Sequence, residues 1–161
     1  MKRSILVTCT MTVVCFSVIQ TVASAQETPG IDGPWIGNVV AADCTSHMPL
    51  PGAVPFRALY MFGHDGSLTT EAAFFVPVAP RSSGLGAWRH SQGQTYASKF
   101  WFFRYKADGS FLAFREITQT IQLNGDQFTT FDRIEEYDAN DVLTFSGCAV
   151  STQDRRLAHP K

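Results

Sequence analysis

The stretch Phe100-Trp101-Phe102-Phe103-Arg104-Tyr105 decides the fold class of this chain. Five of its six side chains are aromatic, and aromatic residues are enriched in β-strands. Large apolar side chains stand at both odd and even positions, so both faces of such a strand would present apolar groups. The sequence therefore predicts a central strand of an antiparallel sheet. A hydrophobic core accounts for the apolar side chains on one face, and those on the other face need a different role.

Outside this strand, turn residues separate about eight segments, and none of them has a helical period. The pair Asn124-Gly125 is the strongest hairpin signal, because both residues tolerate the positive φ of a type I′ turn. We predict strands at about 35–44, 57–63, 67–76, 87–91, 94–106, 110–123, 126–138 and 142–152. The short links in the second half indicate a single up-and-down antiparallel β-barrel over residues 34–153, with a β-sandwich as the alternative.

Residues 1–25 have the pattern of a secretory signal peptide. Lys2 and Arg3 precede an apolar stretch, and Ala23-Ser24-Ala25 supplies the small residues for cleavage before Gln26. We therefore expect a periplasmic or secreted protein that keeps no membrane span after cleavage. A flexible lead is expected at 26–33 and a tail at 154–161.

Cysteine usage agrees with export. Cys9 and Cys15 would leave with the signal peptide, and Cys44 and Cys148 are predicted to form one disulfide in an oxidising compartment. Such a bridge would place the first strand beside the last, as closure of a barrel requires. Neither remaining cysteine has the Cys-x-x-Cys spacing of a zinc site.

The charge balance bounds the possible partners. The chain has 13 basic and 14 acidic residues, and loss of Lys2 and Arg3 would make the mature protein more acidic. No basic patch favours nucleic acid or an anionic membrane surface. His47, His64, His90 and His159 show no regular ligand spacing and are interpreted as surface residues, so we expect no metal and no cofactor.

Counting through the turns assigns residues to faces of the sheet. With a two-residue turn at Asn124-Gly125 and a three-residue turn at 107–109, Glu116 lies opposite Arg133 on one side and opposite Phe100 on the other. That face combines aromatic and charged groups, so we predict that it lines the interior. Its predicted ligand-binding residues are Tyr96, Phe100, Phe102, Phe114, Phe131, Arg133 and Phe145. The opposite face, with Gln119, Thr130, Asp132, Glu136, Thr144 and Ser146, is expected in solvent; a slip of one residue would reverse both assignments.

Three functions remain open at this point. The first is a binding module that holds a small apolar or aromatic molecule, with Arg133 as its polar anchor. The second is a cofactor-independent cyclase, isomerase or lyase in the same cavity, with Glu116 or Glu135 as base, Tyr137 as acid and Arg133 as anion stabiliser. Cross-strand ion pairs on an exposed face are the plain structural alternative for the charged residues.

The third function is an inert domain that contacts a partner, or a second copy in a homodimer, through its outer aromatics. Trp101, Phe103 and Tyr105 would form that surface. Two further arginines, Arg81 and Arg89, flank Gly84-Leu85-Gly86. They are candidates for the mouth of a cavity or belong to an ordinary surface loop.

The strand and turn residues resemble those of a set of small exported bacterial β-barrel proteins. The resemblance rests on Pro51 to Arg57, Phe62-Gly63-His64-Asp65-Gly66-Ser67-Leu68, Gly86-Ala87-Trp88, Gly93-Gln94-Thr95-Tyr96, Leu123-Asn124-Gly125-Asp126-Gln127-Phe128, Asp138-Ala139-Asn140 and Gly147-Cys148. The architecture also resembles lipocalin-type and allene-oxide-cyclase-type barrels, which implies small apolar ligands or, in some members, cyclisation and lyase chemistry. The lipocalin Gly-x-Trp order is reversed here in Trp35-Ile36-Gly37, so the resemblance transfers no catalytic residue.

Overall fold

A computed structural model of the protein describes residues 30–73 and 80–155. The predicted signal peptide, residues 26–29 of the lead, residues 74–76 of the third predicted strand and residues 156–161 of the tail lie outside the described residues. Within the two described ranges, no helix is long and apolar enough to cross a membrane.

Eight antiparallel strands form a closed barrel in which every strand pairs with its neighbours in chain order. The strands are β1 (Gly33–Ala42), β2 (Phe56–Phe62), β3 (Ser67–Ala73), β4 (Gly84–Gln92), β5 (Thr95–Tyr105), β6 (Phe111–Asn124), β7 (Gln127–Tyr137) and β8 (Leu143–Arg155). This confirms the predicted up-and-down barrel and excludes the sandwich alternative. The strand predicted at 87–91 begins three residues earlier, at Gly84.

Pairing of β1 with β8 closes the barrel. Ala42 at the end of β1 lies opposite Cys148 in β8, and Cys148 forms the predicted disulfide with Cys44 across a Cα–Cα distance of 5.2 Å. The bridge joins residues that are 104 positions apart. It therefore fastens the two strands on which closure depends.

Aromatic and aliphatic side chains fill one end of the barrel. Trp35, Phe62, Leu68, Ile121 and Phe128 are all fully buried there. The ring of Phe128 meets Trp35 at a centroid distance of 4.8 Å and Phe62 at 5.8 Å, both edge to face. Such pairs add to the stabilisation from burial alone, so this end is a packed core.

The barrel domain extends beyond its predicted limits of 34 and 153. Ile31 is fully buried, and its carbonyl oxygen accepts a hydrogen bond of 2.7 Å from Trp35 Nε1. Arg155 donates to the carbonyl oxygen of Asp32 at 2.7 Å and lies over the Trp35 ring at 4.3 Å. Residues 30–33 of the predicted flexible lead are therefore packed against the core, because Ile31 covers its open end.

A β-bulge overturns the predicted face assignment. Lys106 N donates to Ser110 O at 2.8 Å, so the turn at 107–109 has the expected length. The β5–β6 register then shifts by one residue between Arg104 and Tyr105, which places Phe100 opposite Ile117 instead of Glu116. An extra residue on one strand exchanges the faces of everything beyond it.

The β6–β7 hairpin is also displaced, but without a change of face. Asn124 pairs with Gln127, so the two turn residues are Gly125 and Asp126 rather than Asn124 and Gly125. Glu116 consequently lies opposite Glu135, and Arg133 opposite Thr118. A shift of two residues preserves the alternation, so the bulge alone exchanges the faces.

Candidate functional site

The end of the barrel opposite the packed core contains a cavity of about 210 Å³. Its lining is predominantly apolar and comprises Val39, Ala41, Phe56, Ala58, Tyr60, Ala72, Phe100, Phe102, Ile117, Ile134, Phe145, Cys148 and Ala149, with the polar residues Thr70, Glu71, Arg81, Arg115 and Asp132. A dry cavity of about 150 Å³ already binds benzene. The space therefore suits a molecule built on a single aromatic ring.

The position of the cavity follows from the choice of inward residues. Ala58 and Ala149 are buried inward residues with very small side chains. At the other end of the same strands, Phe62 and Gln153 are large and fully buried. An eight-stranded barrel is just wide enough for side chains to fill. Alanine at these positions therefore leaves the unfilled space.

Asp132 is the buried acid of the cavity, and only 3% of its surface is exposed. Gln119 Nε2 donates to its Oδ1 at 2.9 Å, and Gln119 Oε1 accepts from Ser98 Oγ at 2.8 Å. Burial raises the pKa of Asp132 to about 6, against the opposing effect of hydrogen bonds from Thr130 and Gln119. The carboxyl group is thus fixed in orientation and exchanges its proton near neutral pH.

Tyr60 lies next to this acid. Its hydroxyl accepts a long hydrogen bond of 3.4 Å from Gln119 Nε2, and its ring packs edge to face on Phe100 at 6.3 Å. Burial, together with the Asp132 carboxylate, raises the pKa of Tyr60 above its ordinary value. The phenol is therefore neutral and available as a hydrogen-bond donor inside the barrel.

Arg81 is the cationic residue at the β3–β4 side of the cavity. Its guanidinium lies 3.9 Å from the centroid of the Phe102 ring. Nε donates to Ser82 O at 2.9 Å, and Nη2 donates to Thr70 O at 3.3 Å and to Thr70 Oγ1 at 3.4 Å. Partial burial lowers the pKa of Arg81, with the Glu71 carboxylate opposing that effect, but a guanidinium stays protonated in proteins. A fixed positive charge thus adjoins an apolar wall.

A second group of charges lies between β5, β6 and β7. Arg104 and Arg115 both donate to Glu136 Oε2. Burial of Glu136 opposes its ionisation, but these two hydrogen bonds outweigh burial and lower the pKa of Glu136. Arg115 also lies over the Phe145 ring at 5.3 Å. These charges are mutually compensated, except that two guanidinium groups share one carboxylate.

Of the seven predicted ligand-binding residues, four point into the barrel. Phe100 and Phe102 line the cavity, as does Phe145, which is 46% exposed. Phe145 is inside because a second bulge moves it opposite Glu136 rather than Glu135. Tyr96 is also buried, but it packs against Trp88 and lines no part of the cavity.

The other three predicted ligand-binding residues are on the outer surface. Phe114 stacks on Tyr137 with the ring centroids 5.1 Å apart. Phe131 stacks on His47 at 3.8 Å, in an outer groove bordered by Pro49, Pro55 and several threonines. The Arg133 side chain is 67% exposed. None of the three lines the interior cavity, so their predicted face was wrong.

The four catalytic candidates lie on the same outer face. Glu116 accepts hydrogen bonds from Lys99 Nζ at 2.6 Å and from Trp101 Nε1 at 2.8 Å. Burial of Glu116 opposes ionisation, but these donors outweigh it and lower its pKa. Glu135 accepts from Tyr137 Oη at 3.0 Å and lies 3.4 Å from Arg133 Nε.

A base on this outer surface does not face the cavity. The predicted cyclase, isomerase or lyase required Glu116 or Glu135 inside with the ligand, together with Tyr137 and Arg133, and the structure places none of the four in the cavity. Cross-strand pairing on an outer sheet face is the arrangement that the structure shows. The predicted outer aromatics Trp101 and Phe103 are indeed exposed, at 42% and 52%.

Several residues that point into the barrel were assigned to solvent or to no site by the sequence; of these, Arg115 and Asp132 line the cavity. Gln119, Asp132 and Glu136 were expected on the solvent face, and Arg115 was placed with them. One signal in the sequence could have shown which face of β6 is inside. Alternate positions of β6 from Ala113 to Leu123 lie on one face, and this set is mainly apolar: Ala113, Arg115, Ile117, Gln119, Ile121 and Leu123. Of the two arginines considered for a cavity mouth, Arg81 lines the cavity and Arg89 is exposed on the outside.

The histidines and acidic residues form no metal site in the part of the chain that the structure describes. No group of three or more His, Cys, Asp or Glu side chains among residues 30–73 and 80–155 is placed to hold an ion. His47, His64 and His90 are exposed, as predicted, and His159 lies outside the described residues.

Comparison with known proteins adds no family assignment. No protein-family model matches the chain, and no curated protein matches its sequence. The resemblance to small exported barrels and to lipocalin-type and allene-oxide-cyclase-type barrels therefore stays a prediction. Function has to be inferred from the side chains of the barrel itself.

Proposed function

We propose that this protein is an exported barrel that binds a small apolar or aromatic molecule in its interior. The observation that supports this most directly is the cavity of about 210 Å³ beside Phe100 and Phe102. Protein interiors are normally packed without voids of this size, because unfilled space forfeits dispersion and burial energy. A barrel with only a structural role would gain stability from larger residues at Ala58 and Ala149.

The polar groups around the cavity fit the same function. Ligand sites combine a largely apolar wall with a few polar groups that fix orientation. Here those groups are Arg81, Arg115 and Asp132, which replace Arg133 as the anchors. A ring would lie against Phe100 and Phe102 while its substituents meet the charges.

The compartment is part of the proposal. A disulfide between Cys44 and Cys148 is favoured in oxidising surroundings, and residues 1–25 have the pattern of a signal peptide. The protein would then act in the periplasm or in the medium. The likeness to lipocalin-type barrels supports a carrier or scavenger of small molecules.

A variant that fills the cavity tests the proposal. Ala58→Leu adds side-chain volume inside the barrel, whereas the matched control Ala87→Leu adds it on the exposed outer face of β4. Mature protein is titrated with benzene, toluene, indole and benzoate in a calorimeter. We expect at least one probe to bind, Ala58→Leu to weaken it more than about tenfold and Ala87→Leu to leave it unchanged.

The opposite results are equally informative. If no probe binds, or if both variants bind as the unmodified protein does, the cavity is not a binding site for molecules of this size. The third hypothesis, an inert interaction domain with exposed Trp101 and Phe103, would then be favoured. Circular dichroism of each variant checks that the barrel is intact.

A further inference from the structure

The guanidinium of Arg81 retains unused hydrogen-bonding capacity at the cavity. Within the described part of the chain, its Nε and Nη2 atoms bind only neutral oxygens, those of Ser82 and Thr70. Nη1 has no acceptor among residues 30–73 and 80–155, and within the same ranges Arg81 forms no ion pair with a carboxylate. A guanidinium offers five N–H donors in a planar fork that matches a carboxylate.

The nearby carboxylates have other partners. Glu136 is shared by Arg104 and Arg115, and Glu71 accepts a hydrogen bond from Ser83 Oγ. Asp132 accepts from Gln119 Nε2, so three guanidinium groups lie at this end of the barrel with the three carboxyl groups of Glu71, Glu136 and Asp132. Among residues 30–73 and 80–155, Arg104 and Arg115 each pair with Glu136, whereas Arg81 pairs with no carboxylate and is influenced by Glu71 only through space.

The wall beside Arg81 is aromatic. Phe102 lies under the guanidinium at 3.9 Å, and Phe100 stacks on Phe102 with the ring centroids 6.4 Å apart. A glycine at position 84 provides the space for this arrangement: a Cβ there would come within 2.2 Å of Thr70 Oγ1 and 2.9 Å of Phe100 Cδ2. The absence of a side chain at position 84 therefore allows Arg81, Thr70 and Phe100 to lie close together.

We propose that the ligand is a small aromatic monocarboxylic acid whose carboxylate binds Arg81 while its ring occupies the space against Phe100, Phe102 and Ile117. This inference rests on the proposed binding function and specifies the chemical class of the ligand. Charge-assisted hydrogen bonds from a guanidinium to a carboxylate are stronger than those between neutral groups. A buried anion against a purely apolar wall would lack such compensation, and the other guanidinium of the cavity, that of Arg115, is already paired with Glu136.

Asp132 fixes the orientation of this ligand. Its buried carboxyl lines the same cavity, and at pH 7 a carboxylate of the ligand placed against the ionised form would meet a like charge. The ligand acid therefore points toward Arg81 and away from Asp132. A hydroxyl on the ring would be tolerated at the Asp132 end, where Tyr60 and Gln119 also offer hydrogen bonds.

Matched pairs of acids and neutral amides test the inference. Benzoate is compared with benzamide, and phenylacetate with phenylacetamide, by calorimetry at pH 7 on the mature disulfide-bonded protein. We expect each acid to bind at least about tenfold more tightly than its amide, the scale of one charge-assisted hydrogen bond. Arg81→Gln should remove that preference, and Arg89→Gln, which removes an exposed arginine of β4, should preserve it.

The outcomes separate this inference from the proposed function. Equal binding of acids and amides, unchanged by Arg81→Gln, overturns the choice of an acid and leaves an interior ligand site standing. Failure of every acid and every amide to bind overturns the choice of an acid, and failure of benzene, toluene and indole as well overturns the interior site itself. If Arg81→Gln does not fold, nuclear magnetic resonance of the unmodified protein decides: the Arg81 Nε–Hε signal must shift with benzoate and not with benzamide, and the absence of that difference refutes the inference.

Discussion

Replacement of Asp132 by asparagine should stabilise the protein, and the gain should depend on pH. Burial raises the pKa of Asp132 from 3.8 to about 6, so the folded state binds a proton more tightly than the unfolded state does. The ionised carboxylate therefore costs stability above pH 6, and the cost disappears as the pH falls below about 4. A difference of about 2 pKa units corresponds to about 3 kcal/mol at pH 7.5.

Asparagine keeps the size of the side chain and an oxygen that can accept from Gln119 Nε2. We therefore expect the free energy of unfolding of Asp132→Asn to exceed that of the unmodified protein by about 3 kcal/mol at pH 7.5 and by less than about 1 kcal/mol at pH 4. Urea unfolding of the disulfide-bonded protein across this range measures the difference. The matched control is Asp154→Asn, which replaces an exposed acid on β8 that accepts from Gln127.

In the difference between the two unfolding free energies, the pH dependence that comes from the carboxylates common to both proteins cancels. A gap that stays constant from pH 4 to pH 8, or a loss of stability at pH 7.5, would refute the argument that desolvation dominates at Asp132. A pH-dependent gap in the Asp154→Asn control would show that the effect does not belong to the interior. The same measurements locate the pH range in which the cavity contains a neutral acid.

Further predictions concern the packing and closure of the barrel. Gln153→Met should leave stability unchanged or raise it, because the side-chain amide of Gln153 is buried without a hydrogen-bond partner among residues 30–73 and 80–155. Gln119→Met removes the link between Ser98 and Asp132 and should lower the free energy of unfolding in urea by about 1 to 3 kcal/mol. Equal losses in the two variants would contradict this difference. Reduction of the disulfide, or Cys44→Ser with Cys148→Ser, should lower the unfolding free energy by about 4 to 5 kcal/mol, and an unchanged urea midpoint would show that β1 and β8 hold without it. Gly37→Ala should abolish folding or lower the melting temperature sharply, since a Cβ there would lie 1.9 Å from the carbonyl oxygen of residue 152; an unaltered melting temperature would mean that β1 and β8 are further apart than described.

Most of the strand layout could be predicted from local signals. Alternation of apolar residues and turn residues such as Asn124-Gly125 located all eight strands within about three residues at the described ends. The even number of cysteines that the predicted signal cleavage would leave predicted the bridge from Cys44 to Cys148. The strand positions depend on residues that are neighbours in the chain, and the disulfide follows from the number of cysteines. Neither prediction requires knowledge of how side chains pack.

The candidate site was predicted only in part, because its faces depend on register. Phe100 and Phe102 were placed inside and do line the cavity. Across the next turn, Glu116 was placed with them, whereas Ile117 is the true neighbour of Phe100. A one-residue bulge at Arg104 leaves almost no trace in the sequence, yet it decides which side of β6 faces inward.

The aromatic stretch from Phe100 to Tyr105 illustrates what the sequence determines and what only the tertiary structure determines. By itself the sequence determined that this segment is a strand, that the fold is all-β and that one disulfide closes it, since these follow from local propensity, turn residues and cysteine number. Only the tertiary structure decided which faces of β6 and β7 enclose the cavity, and that Arg81 and Asp132, rather than Arg133 and Glu116, stand beside it. The physical reason is that alternation has a period of two: it separates the faces of a strand, and only closure with the correct bulges determines which face is inside.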